Sequence, residues 1–134
     1  MNPYQDFDAR LEETILDMTT GAAYLIKLSK EAPTECYENL LISLSKLKNS
    51  NAQALSATLS GCNPPLLNPA YQKNTGGAFR TDLKKAIKLE AEVLSRALEL
   101  SAYAPSQSAR KILLTIVQDQ YMIHKTLLCM HFAL

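Results

Sequence analysis

The chain predicts an all-α fold, an antiparallel four-helix bundle, on three observations. Apolar residues recur at steps of three and four along four long stretches, the spacing that lines one face of a helix. No segment alternates with period two over a useful length, so no sheet is expected. The irregular stretch Gly61 to Gly77, GCNPPLLNPAYQKNTGG, divides the chain into two helical hairpins of similar length. Fully extended, that crossover reaches ~50 Å, whereas a helix over 35–60 is only ~39 Å long. The second hairpin can therefore start at the end of the bundle opposite to where the first one stops.

The first helix is expected over about 3–31. Asn2 supplies a cap, Pro3 takes the first helical position and Gln5 reaches back. Asp6, Asp8, Glu12 and Glu13 suit the positive end of the helix dipole. Tyr4, Phe7, Leu11, Ile15, Met18, Ala22, Leu25 and Leu28 form the stripe, which Gly21 interrupts mildly and Ala32-Pro33 ends. The second helix, about 35–60, is capped by Thr34 and carries Tyr37, Leu40, Leu41, Leu44, Leu47, Ala54, Leu55 and Leu59. Its register turns polar at Ser50 and Asn51, and Gly61 terminates it. Pro64, Pro65 and Pro69 then forbid regular helix through the crossover, 61–77. The third helix, about 78–104, presents Phe79, Leu83, Ala86, Ile87, Val93, Leu94, Ala97 and Leu98, and Pro105 stops it. Ser106 or Ser108 caps the fourth, about 107–132, with Ile112, Leu113, Ile116, Val117, Ile123, Leu127, Leu128 and Phe132 as its apolar residues.

The 134 residues fit one domain, 1–134, able to bury a core without staples. Net charge is +1, from 14 basic and 13 acidic side chains, so no strong field favours nucleic acid or an anionic membrane. The densest basic group, Arg80, Lys84, Lys85 and Lys88, reads as a solvated helix face. The amino-terminal MNPYQDFDARLEE is polar and acidic, unlike a signal peptide, and no apolar run approaches the ~20 residues needed to span a bilayer. Cys36, Cys62 and Cys129 are odd in number and widely spaced, so a reducing cytoplasm is the simplest setting. Cys129 reads as an inert filler of a Leu-rich helix. No GxGxxG or GxxxxGK[ST] cradle occurs, and neither histidine has a recognisable nucleophile partner.

Polar residues inside the apolar stripes are the candidates for chemistry. Glu90 lies in the third stripe, between Ala86-Ile87 and Val93-Leu94. His124 lies between Val117 and Leu127-Leu128, with Gln120 one turn before it. Asp17 sits beside the first stripe, and Ser50 and Asn51 break the second. All lie near the middle of their helices, so they can meet at one level. His131 reads as a helix-end cation, and the tyrosines as boundary or core residues.

At these residues the chain resembles a small member of the ferritin-like superfamily, nearest the rubrerythrin type. The likeness spans nearly all of the chain through its hairpin lengths and crossover. LKKAIKLEAEVLSRALEL resembles the third-helix pattern, with Glu90 as ligand glutamate; LDMTTGAAY resembles the first, with Asp17 in place of glutamate. IVQDQYMIHKTLL resembles the fourth, with His124 matching the histidine and Tyr121 where a glutamate belongs. LKNSNAQAL offers Ser50 and Gln53 in place of glutamate and histidine. The resemblance implies a metal set of Asp17, Glu90 and His124, beside a polar core of Asn51 and Gln120. That counts two carboxylates and one imidazole, against the four carboxylates and two imidazoles of a di-metal site.

Three functions compete. The first, and the one the residues favour, is a non-catalytic ferritin-like bundle without its di-metal site or any cofactor, its polar residues a hydrogen-bonded set that fixes register. It would act by self-association or by binding an unidentified protein partner. A homodimer is expected because Tyr121, Ile123, Leu128 and Phe132 spread the apolar character of the fourth helix over more than one face. The second is an iron- or manganese-binding oxidoreductase or storage protein with an altered ligand set. The third is a small-molecule binder using a gap lined by Ser50, Asn51, Gln120 and His124.

Overall fold

The computed structural model describes residues 7–57 and 78–134. They form four helices: α1 (Phe7–Ser29), α2 (Glu35–Leu55), α3 (Phe79–Ala102) and α4 (Gln107–Ala133). The expected cap at Asn2, the residues Tyr4 and Leu59 and the crossover at 61–77 lie outside the described residues. Among those described, no strand is present, and no helix is long and apolar enough to cross a membrane.

Local chemistry sets the helix ends. The Thr34 side chain accepts from the Tyr37 amide at 3.2 Å and opens α2. Ser106, not Ser108, opens α4 by accepting from the Ala109 amide at 3.1 Å. Such caps satisfy amides that have no partner inside the helix. After Ser29, α1 tightens into turns closed by Lys30, Glu31 and Ala32 amides donating three residues back, and Pro33 prevents continuation.

Packing follows the stripes. α1 lies against α2 and α3, and α4 lies against α3 and α2. The start of α1 meets the end of α3, where Arg10 pairs with Glu99. The end of α1 meets the start of α3, where the Tyr24 hydroxyl donates to the Asp82 carbonyl at 3.1 Å. Phe7, Leu11, Ile15, Met18, Ala22, Leu25 and Leu28 are all buried. The face of α2 is rotated from the one expected: Leu41, Leu44, Ser45, Lys48, Ala52 and Leu55 go inward, while Leu40 and Ala54 are exposed. In α3, Leu98 is exposed and Leu100 takes the inward place.

The apolar core has two parts. One joins Leu11, Met18, Ala52, Val93 and Ile116; the other joins Leu25, Leu44, Ala86 and Ile123. In every helix the boundary between them falls on small or polar residues: Gly21 and Ala22, Ser45 and Lys48, Glu90, and Gln120. Most other buried hydroxyls satisfy themselves within their own helix, as Thr14 does on the Arg10 carbonyl and Ser101 on the Leu98 carbonyl. Ser45 is different. It donates across to the Ala22 carbonyl at 2.7 Å, fully buried, and so marks the close approach of α1 to α2 at this level.

At the far end of the α1–α3 contact, burial and then the neighbouring Asp82 carboxyl hold Glu31 up at about 7. Its folded value lies above its unfolded one, so the folded chain binds the extra proton between about 4.5 and 7. The stabilisation is complete at the acid side of that window and is lost as pH rises through it. Denaturant midpoints measured from pH 5 to 8 should therefore fall more steeply for the wild type than for Glu31→Gln. Parallel curves would contradict this assignment.

Candidate functional site: a buried lysine–glutamate–glutamine layer

Between the two apolar clusters, three long polar side chains meet from three helices. Lys48 of α2 is 0% exposed, and Glu90 of α3 and Gln120 of α4 are each 1% exposed. The Lys48 Nζ donates to Glu90 Oε2 at 2.5 Å and to Gln120 Oε1 at 3.2 Å. The Gln120 Nε2 donates in turn to the Glu90 backbone carbonyl at 3.1 Å and to Glu90 Oε2. Both ends of the Gln120 amide are thus used, its oxygen by the ammonium and its nitrogen by α3. A glutamate at 120 would lose the donor and add a charge, and a leucine would lose both functions.

The fourth wall is Gly21 of α1. A Cβ placed there would stand 2.9 Å from Glu90 Oε1 and 2.9 Å from Lys48 Cε. These are the far ends of flexible side chains, which could ordinarily move aside at little cost. Here both are tied into the buried pair, so the space beside Gly21 is part of the site.

Electrostatically the layer is closed. Burial pulls the Lys48 ammonium below its ordinary value, and the Glu90 carboxylate opposes that pull without cancelling it. Desolvation costs several kcal/mol per buried ion and is repaid only by good geometry and further hydrogen bonds. Gln120 supplies those bonds. The arrangement sets two opposite charges against each other, with Glu90 Oε2 taking both donors and Glu90 Oε1 facing Gly21.

The residues expected to bind metal are dispersed. Glu90 is central, but its carboxylate is engaged by Lys48. Asp17 lies on the α1–α3 flank, paired with Arg96 and partly exposed; Met18, one residue on, holds the core position. His124 is half-buried, because the inward line of α4 runs through Gln120, Ile123 and Leu127. Among the described residues, no three histidine, cysteine, aspartate or glutamate side chains stand where they could hold a metal ion. Asp17, Glu90 and His124 therefore do not come together, and the cation at Glu90 is the Lys48 ammonium. Of the expected polar core, Gln120 is in the layer. Asn51 is at its edge, donating to Asp119 Oδ2 at 3.1 Å between α2 and α4. Ser50 and Gln53 are exposed, so Ser50 lines no central gap.

Sequence reasoning passed over Lys48 and read Gly21 as a mild interruption. Lys48 stands four residues after Leu44 and four before Ala52, in the stripe itself; that periodicity was the available signal. Cys129 also needs correction, being exposed like Cys36, since Leu127 and Met130 take the inward positions around it. Cys62 lies outside the described residues.

Two clefts open between α1 and α3. One of about 90 Å³ reaches Gly21 and Glu90 past Asp17, Thr20 and Arg96. Another of about 250 Å³ is lined by Phe7, Arg10, Thr14, Arg96, Leu100 and Tyr103. Its two arginines are already paired, with Glu99 and Asp17. No family model, no curated protein and no solved structure matches the chain.

Gly21→Ala tests the close fit. In an open helix this change gains ~1 kcal/mol of helix propensity. Overpacking a tied, buried pair costs ~1–3 kcal/mol, so the net expectation is a less stable protein by chemical denaturation. A variant more stable than wild type would mean that the pair yields freely.

Proposed function

We propose that this protein is a non-catalytic bundle of the ferritin-like type, its helices antiparallel to their neighbours and joined by the long crossover into one domain. Its di-metal site is replaced by the Lys48–Glu90–Gln120 layer, and it acts through its outer surface, on a second copy or on a protein partner. The observation that carries this reading is the Lys48 ammonium 2.5 Å from Glu90, in the middle of the layer where a resident cation would have to sit. A built-in ammonium neutralises the Glu90 carboxylate of that layer, and a metal ion would have to displace it against the same charge. The surface half of the reading rests on large apolar side chains left in the open: Tyr121 is 58% and Phe132 83% exposed.

Protein expressed in iron- and manganese-rich medium should carry far less than one metal per chain by elemental analysis, with no change in Glu90→Gln. One metal or more per chain, lost in that variant, would overturn the proposal and restore a metal-dependent activity.

A further inference from the structure

The outer side of the α3–α4 hairpin has a chemistry of its own. Contacts fix which flank of each helix is which. On α3, Asp82, Arg96 and Glu99 reach α1; on α4, Asp119 reaches α2. At 100° per residue, the opposite flanks are those that face the α3–α4 seam from outside. They carry Ile87, Leu94 and Leu98 on α3, and Leu114, Tyr121 and Phe132 on α4. Leu98 is 49% and Leu114 45% exposed, while Ile87 and Leu94 are half-buried. From Leu114 to Phe132 the seam runs ~27 Å, the length of about five turns of helix.

Among the described residues, the charged side chains of α3 and α4 around this seam are of one sign. Arg80, Lys84, Lys88, Arg110 and Lys125 are exposed along it and its ridges; Arg80 donates to the Leu134 carbonyl at 2.7 Å and Arg110 Nε to the Ser101 carbonyl at 3.3 Å. Every acidic side chain of α3 and α4 is elsewhere. Glu90 is buried, Asp82 and Glu99 are on the α1 flank, Glu92 lines the cleft beside Asp17, and Asp119 is held by Asn51. A second copy docked by a two-fold axis would set this basic rim against itself, because such an interface joins the same patch on both subunits. The expected homodimer therefore does not fit this face.

We infer that the α3–α4 seam is a docking groove for an amphipathic helix of a different protein, with an apolar stripe flanked by acidic residues. This rests on the surface-acting reading above and names its partner by chemistry. Helix-in-groove binding takes apolar anchors at steps of three and four along about five turns, which matches the seam. Acidic flanks on the incoming helix complete the basic rim and set its specificity and on-rate. A lipid surface fits less well, because the outermost ridge of α3 presents Lys84 and Lys88, while Leu94 and Leu98 lie toward the seam and Leu89 lines the α1–α3 cleft.

The test uses the full chain and two fluorescent helical peptides sharing one leucine stripe, one flanked by glutamates and the other by lysines. The acidic peptide should bind roughly tenfold or more tightly than the basic one and weaken as salt is raised. Leu98→Asp with Tyr121→Asp should abolish binding without changing the helical circular dichroism. Lys84→Glu with Lys125→Glu should reverse the preference, which a merely unfolded variant could not do. Equal binding of the two peptides, binding of neither, or binding only to phosphatidylserine vesicles would overturn the proposal. So would a dimer in sedimentation that Leu98→Asp dissolves. That last result removes only the choice of partner, whereas stoichiometric metal in the same preparation removes the underlying reading as well.

Discussion

A buried charge must be answered within hydrogen-bond reach, and that constraint organises this protein. Lys48, Glu90 and Gln120 come from three different helices and hydrogen-bond one another at a single level of the core. Apolar side chains above and below tolerate small slips, because dispersion and hydrophobic burial are non-directional. The polar layer does not. A one-turn shift of α3 would carry Glu90 into the cluster around Ala86 or that around Val93 and strand Lys48 without its counter-ion. The layer makes only one alignment of α2, α3 and α4 acceptable, at an electrostatic cost that an all-leucine core would not carry. Gly21 extends the same constraint to α1, since the pair occupies the space a side chain would need.

Closing the centre moves the chemistry outward. The Lys48 ammonium and the Glu90 carboxylate are engaged with each other at the centre. The distinctive features that remain are external: an apolar seam with a basic rim on α3 and α4, and mixed-charge clefts between α1 and α3. Surface ion pairs such as Arg10–Glu99 and Asp17–Arg96 contribute little to stability, ~0–1 kcal/mol each. They tie Arg10 and Arg96 to the α1–α3 contact, apart from the basic side chains along the α3–α4 seam.

The helical architecture was legible because each helix carries a three- and four-residue apolar rhythm bounded by capping residues, Thr34 and Ser106 among them. The inward position of Glu90 was legible from the same rhythm. What stayed hidden follows from side-chain length. Lysine is read as solvated because its charge ordinarily reaches water, so Lys48 was passed over although its spacing placed it in the stripe. Asp17 and His124 were placed at the centre, yet a step of one residue turns a helical side chain by 100°, which moves it to a flank. Gly21 offers no pattern at all in one dimension; its meaning depends on what two other helices bring against it.

The central claim is that Lys48 and Glu90 are each other's reason for being buried. Unfolding free energies of Lys48→Met, Glu90→Leu and the double variant measure this directly. Each single change should cost ~3–5 kcal/mol, because it leaves an uncompensated buried charge. The double variant should be more stable than either single one. Costs that simply add would show that the two side chains do not depend on each other, and would contradict the account.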